Sequence, residues 1–591
     1  MKKHLLLTLN HPDGMKDREF VFTDRNWVGK LHAKKDVNQD QITGVPQEIS
    51  FKLLEQSRTI EDEILPYLTS LLNKAHDEDM SARAWKIILG HWVRMFSQAY
   101  VYRKYRIEEL LKDHDFESAF IDAKYQRNYA PMHMEEAQER MNDWRWDSYF
   151  TAKILESIGW DGSIDAIPSF ENIPAPSFKV IPLPALRIRL GAKVILMLEQ
   201  ITMLLPKPKK IMVTNSYLPI RMESFLQISF FQFPRMHRII LPNDIPETDT
   251  LLREELKRKA LLDFDTDNIH PVLPLCIESL PRIYLEGFKE LKNLAEKVKY
   301  PSNPKLIFTS NNFRTDEVFK FWTAKMIDSG TKYIVGQHGN NYGTNLFLSP
   351  SIEESTADYF LTWGWSGRKT EIPTFLLKDP KPNKLSYSKK GGLLLVETVR
   401  EPQIHCWDTR SDFEINCSQQ RKFIENIHSN ILSSTTVRMA RGADIEDAET
   451  LGRIFRNYPQ IKVDLGFLPI KKLIKKNRLV VQTYDSTGLL ENLSNNVPTI
   501  AFWRHGFDRL AEEAQLFYQT LVDAEILFFD PEEAARKIND VWDDIDSWWL
   551  NSDLQEIRKI FCAKYAVKQR HPIAKIRREL LALADEASVT C

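Results

Sequence analysis

The run Thr483-Tyr484-Asp485-Ser486-Thr487-Gly488-Leu489-Leu490-Glu491 lies between the apolar stretch Leu479-Val480-Val481 and Asn495-Asn496-Val497-Pro498-Thr499-Ile500-Ala501-Phe502-Trp503. It reads as a strand, a tight polar turn, a short helix carrying one acid, and a second strand. A turn of Asp, Ser, Thr and Gly at a strand end leaves the first N–H groups of the next helix unpaired, with the positive end of the helix dipole behind them. Such a helix start is a site for an anion. The hydroxyls of Ser486 and Thr487 can add donors, and Glu491, one helical turn past Thr487, can accept from ribose hydroxyls beside a phosphate. Asp485, Ser486, Thr487, Gly488 and Glu491 are therefore candidate binding residues for a nucleotide mono- or diphosphate, Glu491 on the ribose side. The same residues also suit a plain helix cap at Asp485 or Ser486 with a solvated Glu491.

Outward from this stretch, apolar strand-like runs alternate with helical ones. In the C-terminal half these are Gly392 to Val396, a helix over Arg421 to Leu432, Thr435 to Met439, a helix near Asp444 to Arg456, Lys462 to Leu465, and a short helix at Pro469 to Lys475. Upstream they are Lys210 to Thr214, a helix near Arg221 to Phe231, Arg238 to Leu241, a long helix over Pro281 to Lys297, Lys305 to Thr309, a helix near Asp316 to Ser329, Lys332 to Gly336, and Tyr359 to Trp363. Regular alternation of this kind implies parallel sheets covered on both faces. The polar, proline- and lysine-rich Leu377 to Lys384 reads as the boundary between two α/β domains. A helical pattern from about Ile60 to Leu111 follows a first strand at the N-terminus, and Trp85, Trp92, Phe96 and Tyr100 fall near one face of it as core residues. Prolines at 168, 174, 176, 182 and 184 mark a long surface connection. The expected division is 1–380 with a helical insert over about 55–160, 390–547, and terminal helices over 548–591.

Two further polar loops follow buried strands. In Gly336-Gln337-His338-Gly339-Asn340-Asn341-Tyr342-Gly343, glycines bracket hydrogen-bonding side chains, which lets backbone approach a ligand closely. His338 suits a phosphate donor or general acid, since its ordinary pKa lies near neutrality, and Gln337, Gly339 and Asn340 are its neighbouring candidates. In Ser310 to Trp322, Asp316 and Glu317 begin a helix, where the dipole favours acids. One of them is a candidate base or nucleophile, and simple capping accounts for them equally. Arg441, at the end of the strand carrying Arg438, is a candidate phosphate ligand through paired N–H donors. Glu397 with Arg400, His11-Pro12, and Asn215 with Ser216 also stand at strand ends and carry less weight. Two Asp-x-Asp spacings, Asp263 to Asp267 and Asp544 to Asp546, read as solvated acids rather than metal ligands, because neither follows a strand.

At 591 residues the chain is long enough for two or three domains. With 43% hydrophobic and 27% charged residues it reads as a soluble globular protein, and a net charge of −1 gives no reason to expect a nucleic-acid partner. The short apolar run at the N-terminus and the lack of a spanning stretch lead to the expectation of a cytoplasmic protein that can touch a membrane surface. No stretch approaches the roughly 20 apolar residues that span a bilayer. Five scattered cysteines without a CxxC pair argue against a disulfide framework or a zinc site. There is no GxxxxGK[ST] loop, no GxGxxG after the first strand, no HExxH and no GxSxG, so P-loop, Rossmann NAD, zincin and α/β-hydrolase chemistry are set aside.

The segment Asp485 to Glu491 followed by Val497-Pro498-Thr499-Ile500 resembles the donor-nucleotide motif of GT-B glycosyltransferases, particularly capsule and lipopolysaccharide enzymes that use CMP-activated ulosonic acids. Gly336-Gln337-His338-Gly339 is similar to a motif of the same group. With Leu71-Leu72-Asn73, the helix at Trp85 to Trp92 and Ser310 to Trp322, the whole chain resembles a transferase family of O-antigen gene clusters. The resemblance implies two doubly wound Rossmann-like domains facing a cleft, the second holding the sugar nucleotide, the first the acceptor, and the last helices crossing back to the first. By it, Ser486, Thr487 and Gly488 hold donor phosphate, Glu491 the ribose, and His338 the phosphate or leaving group. The expected partners are a CMP-linked sugar and a glycan or lipid-linked glycan at the inner membrane face, with no metal or other cofactor. The chain departs from the CMP-sialic acid type in lacking a clear His-Pro pair in the second domain. The alternatives are an epimerase or phosphate-polymer transferase on the same frame, or a non-catalytic nucleotide- or glycan-binding scaffold.

Overall fold

The computed structural model describes residues 3–7, 20–22, 45–126, 129–141, 143–168, 211–232, 239–242, 244–263, 271–298, 300–383, 385–397, 410–439, 455 and 457–586. Its described strands form three sheets, parallel at every pairing. The first has the order β2-β1-β3-β4, with β1 at Lys3–Leu6, β2 at Phe20–Phe22, β3 at Phe116–Asp122 and β4 at Ser163–Ile167. The second runs in chain order through β5 (Ile211–Val213), β6 (Leu306–Thr309), β7 (Lys332–Gly336), β8 (Tyr359–Thr362) and β9 (Glu371–Pro373). The third has β10 at Gly392–Val396, β11 at Thr436–Arg438, β12 at Lys462–Asp464, β13 at Asn477–Gln482, β14 at Thr499–Phe502 and β15 at Leu527–Phe528. Its order, β12-β11-β10-β13-β14-β15, reverses direction between β10 and β13, the doubly wound arrangement. Parallel strands need crossovers that cover both faces, which is why Leu306–Thr309 and Thr499–Phe502 are buried at every position.

Helices Gln47–His76 and Ala82–Asp113 form a hairpin, the first ending at Asp77 in the left-handed region and the second capped by Ser81. Trp85, Trp92, Phe96 and Tyr100 are all buried, as the helical spacing predicts. Ala82–Asp113 packs on Trp144–Ser157, which lies against β3, and on Glu317–Asp328, which packs near β7. One long helix thus joins the first two sheets. The segment over about 55–160 also contains β3, a strand that its helical pattern conceals.

Two other expectations are corrected. Ile239 to Leu241 is not a strand, although residue 238 lies outside the described residues. The helix expected over Pro281 to Lys297 breaks into the short turn Arg282–Tyr284 and the helix Phe288–Lys297. A side chain on Gly287 would put its Cβ 3.0 Å from Ile245 Cγ2 and 3.2 Å from Ile283 Cα, too close without adjustment.

The start of the boundary segment is tied into the fold, while residues 381–383 are exposed. Leu376 and Leu377 are fully buried, and Asp379 accepts from Asn495 Nδ2 (2.5 Å), Lys568 Nζ (2.8 Å) and Lys471 Nζ (2.9 Å). Beside it the chain returns: Leu376 N–H donates to Val567 O, Val567 N–H to Trp363 O, and Gln569 N–H to Pro380 O. The helix Pro572–Glu586 then packs on Ile220–Ser229, and Tyr359 donates to Glu586 at 3.0 Å. Among the described residues, no helix is long and apolar enough to cross a membrane.

Candidate functional site

The loops that follow β5, β6, β7 and β13 leave the carboxyl ends of parallel strands, where α/β folds place ligands. The β7 loop begins under steric constraint, because a side chain on Gly336 would stand 2.4 Å from Ser310 Oγ and 2.9 Å from Leu377 Cδ1. Gln337 then anchors the loop. Its amide oxygen accepts from Trp363 N–H and Trp365 Nε1 (both 2.9 Å), and its amide nitrogen donates to Gly339 O (2.8 Å). All of these contacts are internal, so Gln337 holds the loop rather than presenting itself to a ligand.

Asn340 crosses to the third sheet's domain. Its N–H donates to Thr487 Oγ1 (3.0 Å) and its Nδ2 to Asp485 Oδ1 (2.7 Å). Gly339 also faces Thr487, with 3.8 Å between Oγ1 and the position of an added Cβ. Nearby, Ala511 N–H donates to Thr344 O and Leu346 N–H to Arg509 O, so the β7 loop is stitched to the second domain along its length. The two stretches that the sequence singles out, almost 150 residues apart, therefore meet.

Within the turn the roles divide. Ser486 is buried, donates to Gln482 Oε1 (2.9 Å) and accepts from Leu489 N–H (3.1 Å), which makes it the cap of the helix Thr487–Ser494. The N–H groups of Thr487 and Gly488, at the first two helical positions, have no acceptor within the helix. Gly488 closes against Gln482, whose Nε2 would stand 3.0 Å from an added Cβ. Asp485 also accepts from Tyr518 (3.0 and 3.1 Å), and burial pushes its carboxyl up to about 7 against the pull of Tyr518 and Asn340. Glu491 lies 2.9 Å from Lys378 Nζ, and the same ammonium stands 6.0 Å above the Tyr217 ring. Burial lowers the Lys378 pKa, but Glu491 outweighs it and holds it above its ordinary value.

His338 sits among aromatic rings, 5.4 Å from Phe313 and 6.1 Å from Tyr217, centroid to centroid. Its Nδ1 lies 2.9 Å from Tyr342 Oη, and burial lowers its pKa. Tyr342 in turn donates to the buried Glu353. Asn215, Tyr217 and Asn341 hold φ of 47°, 65° and 77°, a concentration of left-handed backbone in the loops beside His338.

The other candidate acids face inward. Asp316 caps Glu317–Asp328, accepting from Phe319 N–H at 3.1 Å, and burial pushes its carboxyl up to about 7. Glu317 is fully buried and accepts from Tyr284 Oη, Met134 N–H (2.9 Å) and Lys320 Nζ (2.8 Å). Both are built into the first domain, while Phe313 and Arg314 of their loop act on His338, the first by ring contact and the second by its charge. Glu397, at the end of β10 and beside the sheet's switch point, is 1% exposed and accepts from Thr483 Oγ1 at 3.0 Å. Arg441 lies outside the described residues, as do Arg400, His11-Pro12, Asp265 and Asp267. In the other Asp-x-Asp pair, Asp544 caps Ile545–Trp549 and Asp546 binds Tyr387 and Lys389, so both are structural. Sequence reading misses Glu353 and Tyr518, which stand outside its polar motifs, and Lys378, which lies in the stretch read only as a domain boundary.

Against known proteins, residues 3–580 match the model of the LIC12162 family transferases. No curated protein matches the chain. Among solved structures, the chain is similar to MnaA of S. aureus in its UDP co-structure (10% identity, TM-score 0.35, 64% of this chain and 97% of that one). It is also similar to UDP-GlcNAc 2-epimerase from Neisseria meningitidis bound to UDP-GlcNAc (10%, 0.34, 67% and 97%) and to MurG of Acinetobacter baumannii (9%, 0.34, 64% and 100%). The fold is α/β, with parallel sheets and a doubly wound third sheet, and the chain belongs to the LIC12162 family of transferases.

Proposed function

We propose that the protein is a glycosyltransferase that moves a sugar from a nucleotide donor to a glycan acceptor across this cleft. The observation that carries the reading is the contact of Asn340 with Thr487 and Asp485, which brings the β7 loop against the helix start in the second domain. The N–H groups of Thr487 and Gly488 and the Thr487 hydroxyl would bind the donor phosphate, with the helix dipole favouring its charge. Donors fixed in place before reaction stabilise the charge that builds on a departing phosphate without reorganisation. Arg441 is kept as a further phosphate ligand. Glu491 would accept from the ribose after exchanging its contact with Lys378, and His338 would face the reacting centre from the first domain. Asp316 and Glu317 are kept as supports of that domain rather than as nucleophiles, given their enclosure.

The donor to test first is a CMP-linked ulosonic acid, on the likeness of the Asp485 to Glu491 motif to enzymes of that kind, with a surface-polysaccharide acceptor and without a resident metal. Thermal unfolding in CMP, UDP, GDP and CDP, repeated with Glu491→Ala, tests it. Ligand at a hundred times its Kd stabilises by about 2.7 kcal/mol. Selective stabilisation by CMP that the variant loses supports the reading. A preference for a diphosphate overturns the donor, and no binding by any nucleotide overturns the transferase in favour of a scaffold.

A further inference from the structure

Tyr342 links two titratable groups that lie on different elements. Its hydroxyl donates to Glu353 Oε1, from the short helix Ile352–Thr356, and lies 2.9 Å from His338 Nδ1, in the loop after β7. On the far side of Glu353, His91 Nε2 stands 3.5 Å from Oε2. A phenol carries one proton and an ionised carboxylate carries none. Once the Tyr342 proton points to Glu353, the phenol oxygen can only accept from His338.

We infer that His338 is held as the Nδ1–H tautomer by Tyr342 and Glu353, and that these two are positioning residues that present its bare Nε2 to the cleft as a proton acceptor. This deepens the transferase reading and rests on it. It also reverses the sense expected from sequence, where His338 is a donor to phosphate or a general acid.

The charge states agree with the geometry. Burial raises the carboxyl of Glu353, but the two histidines, in so far as they carry charge, and the hydrogen bonds from the Tyr342 hydroxyl and from its own backbone N–H outweigh it and leave it below its ordinary value. Burial and then Glu353 drive the Tyr342 phenol far above its usual range, so it keeps its proton. Burial and Arg314 lower His338 against the pull of Glu353, and burial takes His91 down to about 3, so both rings are neutral near pH 7. The charged and titratable groups that face His338 are thus Tyr342, Glu353 and Arg314, with the Tyr217 ring at its edge. Among the described residues no hydrogen bond engages Nε2, and the ring is not sealed from solvent.

In the step this implies, an acceptor hydroxyl gives its proton to Nε2 while its oxygen bonds the anomeric carbon. The bond from that carbon to the donor phosphate oxygen breaks, and its electron pair leaves on the phosphate. The imidazolium that results keeps its Nδ1–H on Tyr342, and the Glu353 charge stabilises it through the phenol, as a buried acid orients a catalytic histidine.

The test reads the tautomer without needing any substrate. Full-length protein labelled with ¹⁵N-histidine is observed by long-range ¹H–¹⁵N correlation at pH 7.5, with His338 assigned by loss of its signals in His338→Gln. The expected result is a pyrrole-like Nδ1 and a pyridine-like Nε2, with the ring passing to the Nε2–H form in Tyr342→Phe. Glu353→Gln serves as the second variant if Tyr342→Phe does not fold. An Nε2–H or doubly protonated ring in the unaltered protein overturns the inference, whatever the nucleotides do. An Nδ1–H ring that neither variant disturbs overturns the relay. Failure of nucleotide binding with the tautomer as expected would instead count against the transferase reading alone.

Discussion

Replacing Glu397 with glutamine should change how the stability of the protein depends on pH. Glu397 is 1% exposed at the end of β10, one oxygen accepts from Thr483 Oγ1 at 3.0 Å, and its other oxygen has no hydrogen bond among the described residues. Burial disfavours its charged form and pushes its pKa up to about 8, against the hydrogen bonds from Thr483 and Gln420. The ordinary value is 4.5, so between about pH 4.5 and pH 8 the folded chain holds a proton that the unfolded chain has released. The stabilisation is therefore complete below pH 4.5 and is lost as pH rises, at about 1.4 kcal/mol per unit. Over the whole window this amounts to about 4–5 kcal/mol. Glutamine keeps the shape and the neutral polarity, so Glu397→Gln should match the parent at pH 4.5 and exceed it increasingly towards pH 8. The assay is urea unfolding from pH 4.5 to 9, followed by tryptophan fluorescence and far-ultraviolet circular dichroism, taking the difference in free energy between the two proteins. Since both share every other titrating group, that difference isolates Glu397. A difference that stays flat across the window refutes the reasoning, and one that grows towards acid reverses its sign.

Asn340→Ala removes the 2.7 Å bond to Asp485 but leaves the backbone bond to Thr487; a hydrogen bond to a charged group contributes about 1.5–3 kcal/mol. That energy is lost from the folded protein, so thermal stability should fall, and nucleotide affinity by calorimetry should fall as well because the turn loses the contact that holds it; unchanged affinity would mean that the loop contact does not shape the donor site. Gly336→Ala should destabilise by about 1–3 kcal/mol through overpacking against Ser310 and Leu377, seen as a lower urea midpoint; an unchanged midpoint would show that the β7 loop yields more readily than its contacts indicate. Asn495→Ala deletes one of three donors to the buried Asp379, and pulse proteolysis should find the domain boundary more exposed, whereas a cleavage rate equal to the parent's would show that the two lysines suffice.

How much of this was legible in the sequence follows the range of the interactions involved. The strands Leu306–Thr309, Lys332–Gly336, Gly392–Val396 and Asn477–Gln482 are each built on a short apolar run, such as Leu479-Val480-Val481, bounded by polar residues, because a strand in a covered parallel sheet meets core on both faces. The Ser486 cap and the buried aromatic face of Ala82–Asp113 are equally local, set by a side chain's reach to its own backbone and by helical spacing. β3 was not legible, since Phe116–Asp122 follows a long helical pattern and gains its partners from Lys3–Leu6, more than a hundred residues upstream.

The amino-acid sequence by itself determined which residues stand at strand ends with hydrogen-bonding groups to spare, and that a helix begins at Thr487 with its first N–H groups open. Only the tertiary structure decided what each of them faces. Glu317 and Gln337 turned into the protein because Tyr284, Lys320, Trp363 and Trp365 satisfy them there, and burying a polar group without such partners is costly. Asn340 turned across the cleft to Asp485, and His338 acquired a tyrosine and a glutamate that fix which of its nitrogens holds the proton. A residue's chemistry is carried by its own atoms, but its ionisation and its tautomer depend on charges and burial supplied by elements distant in the chain.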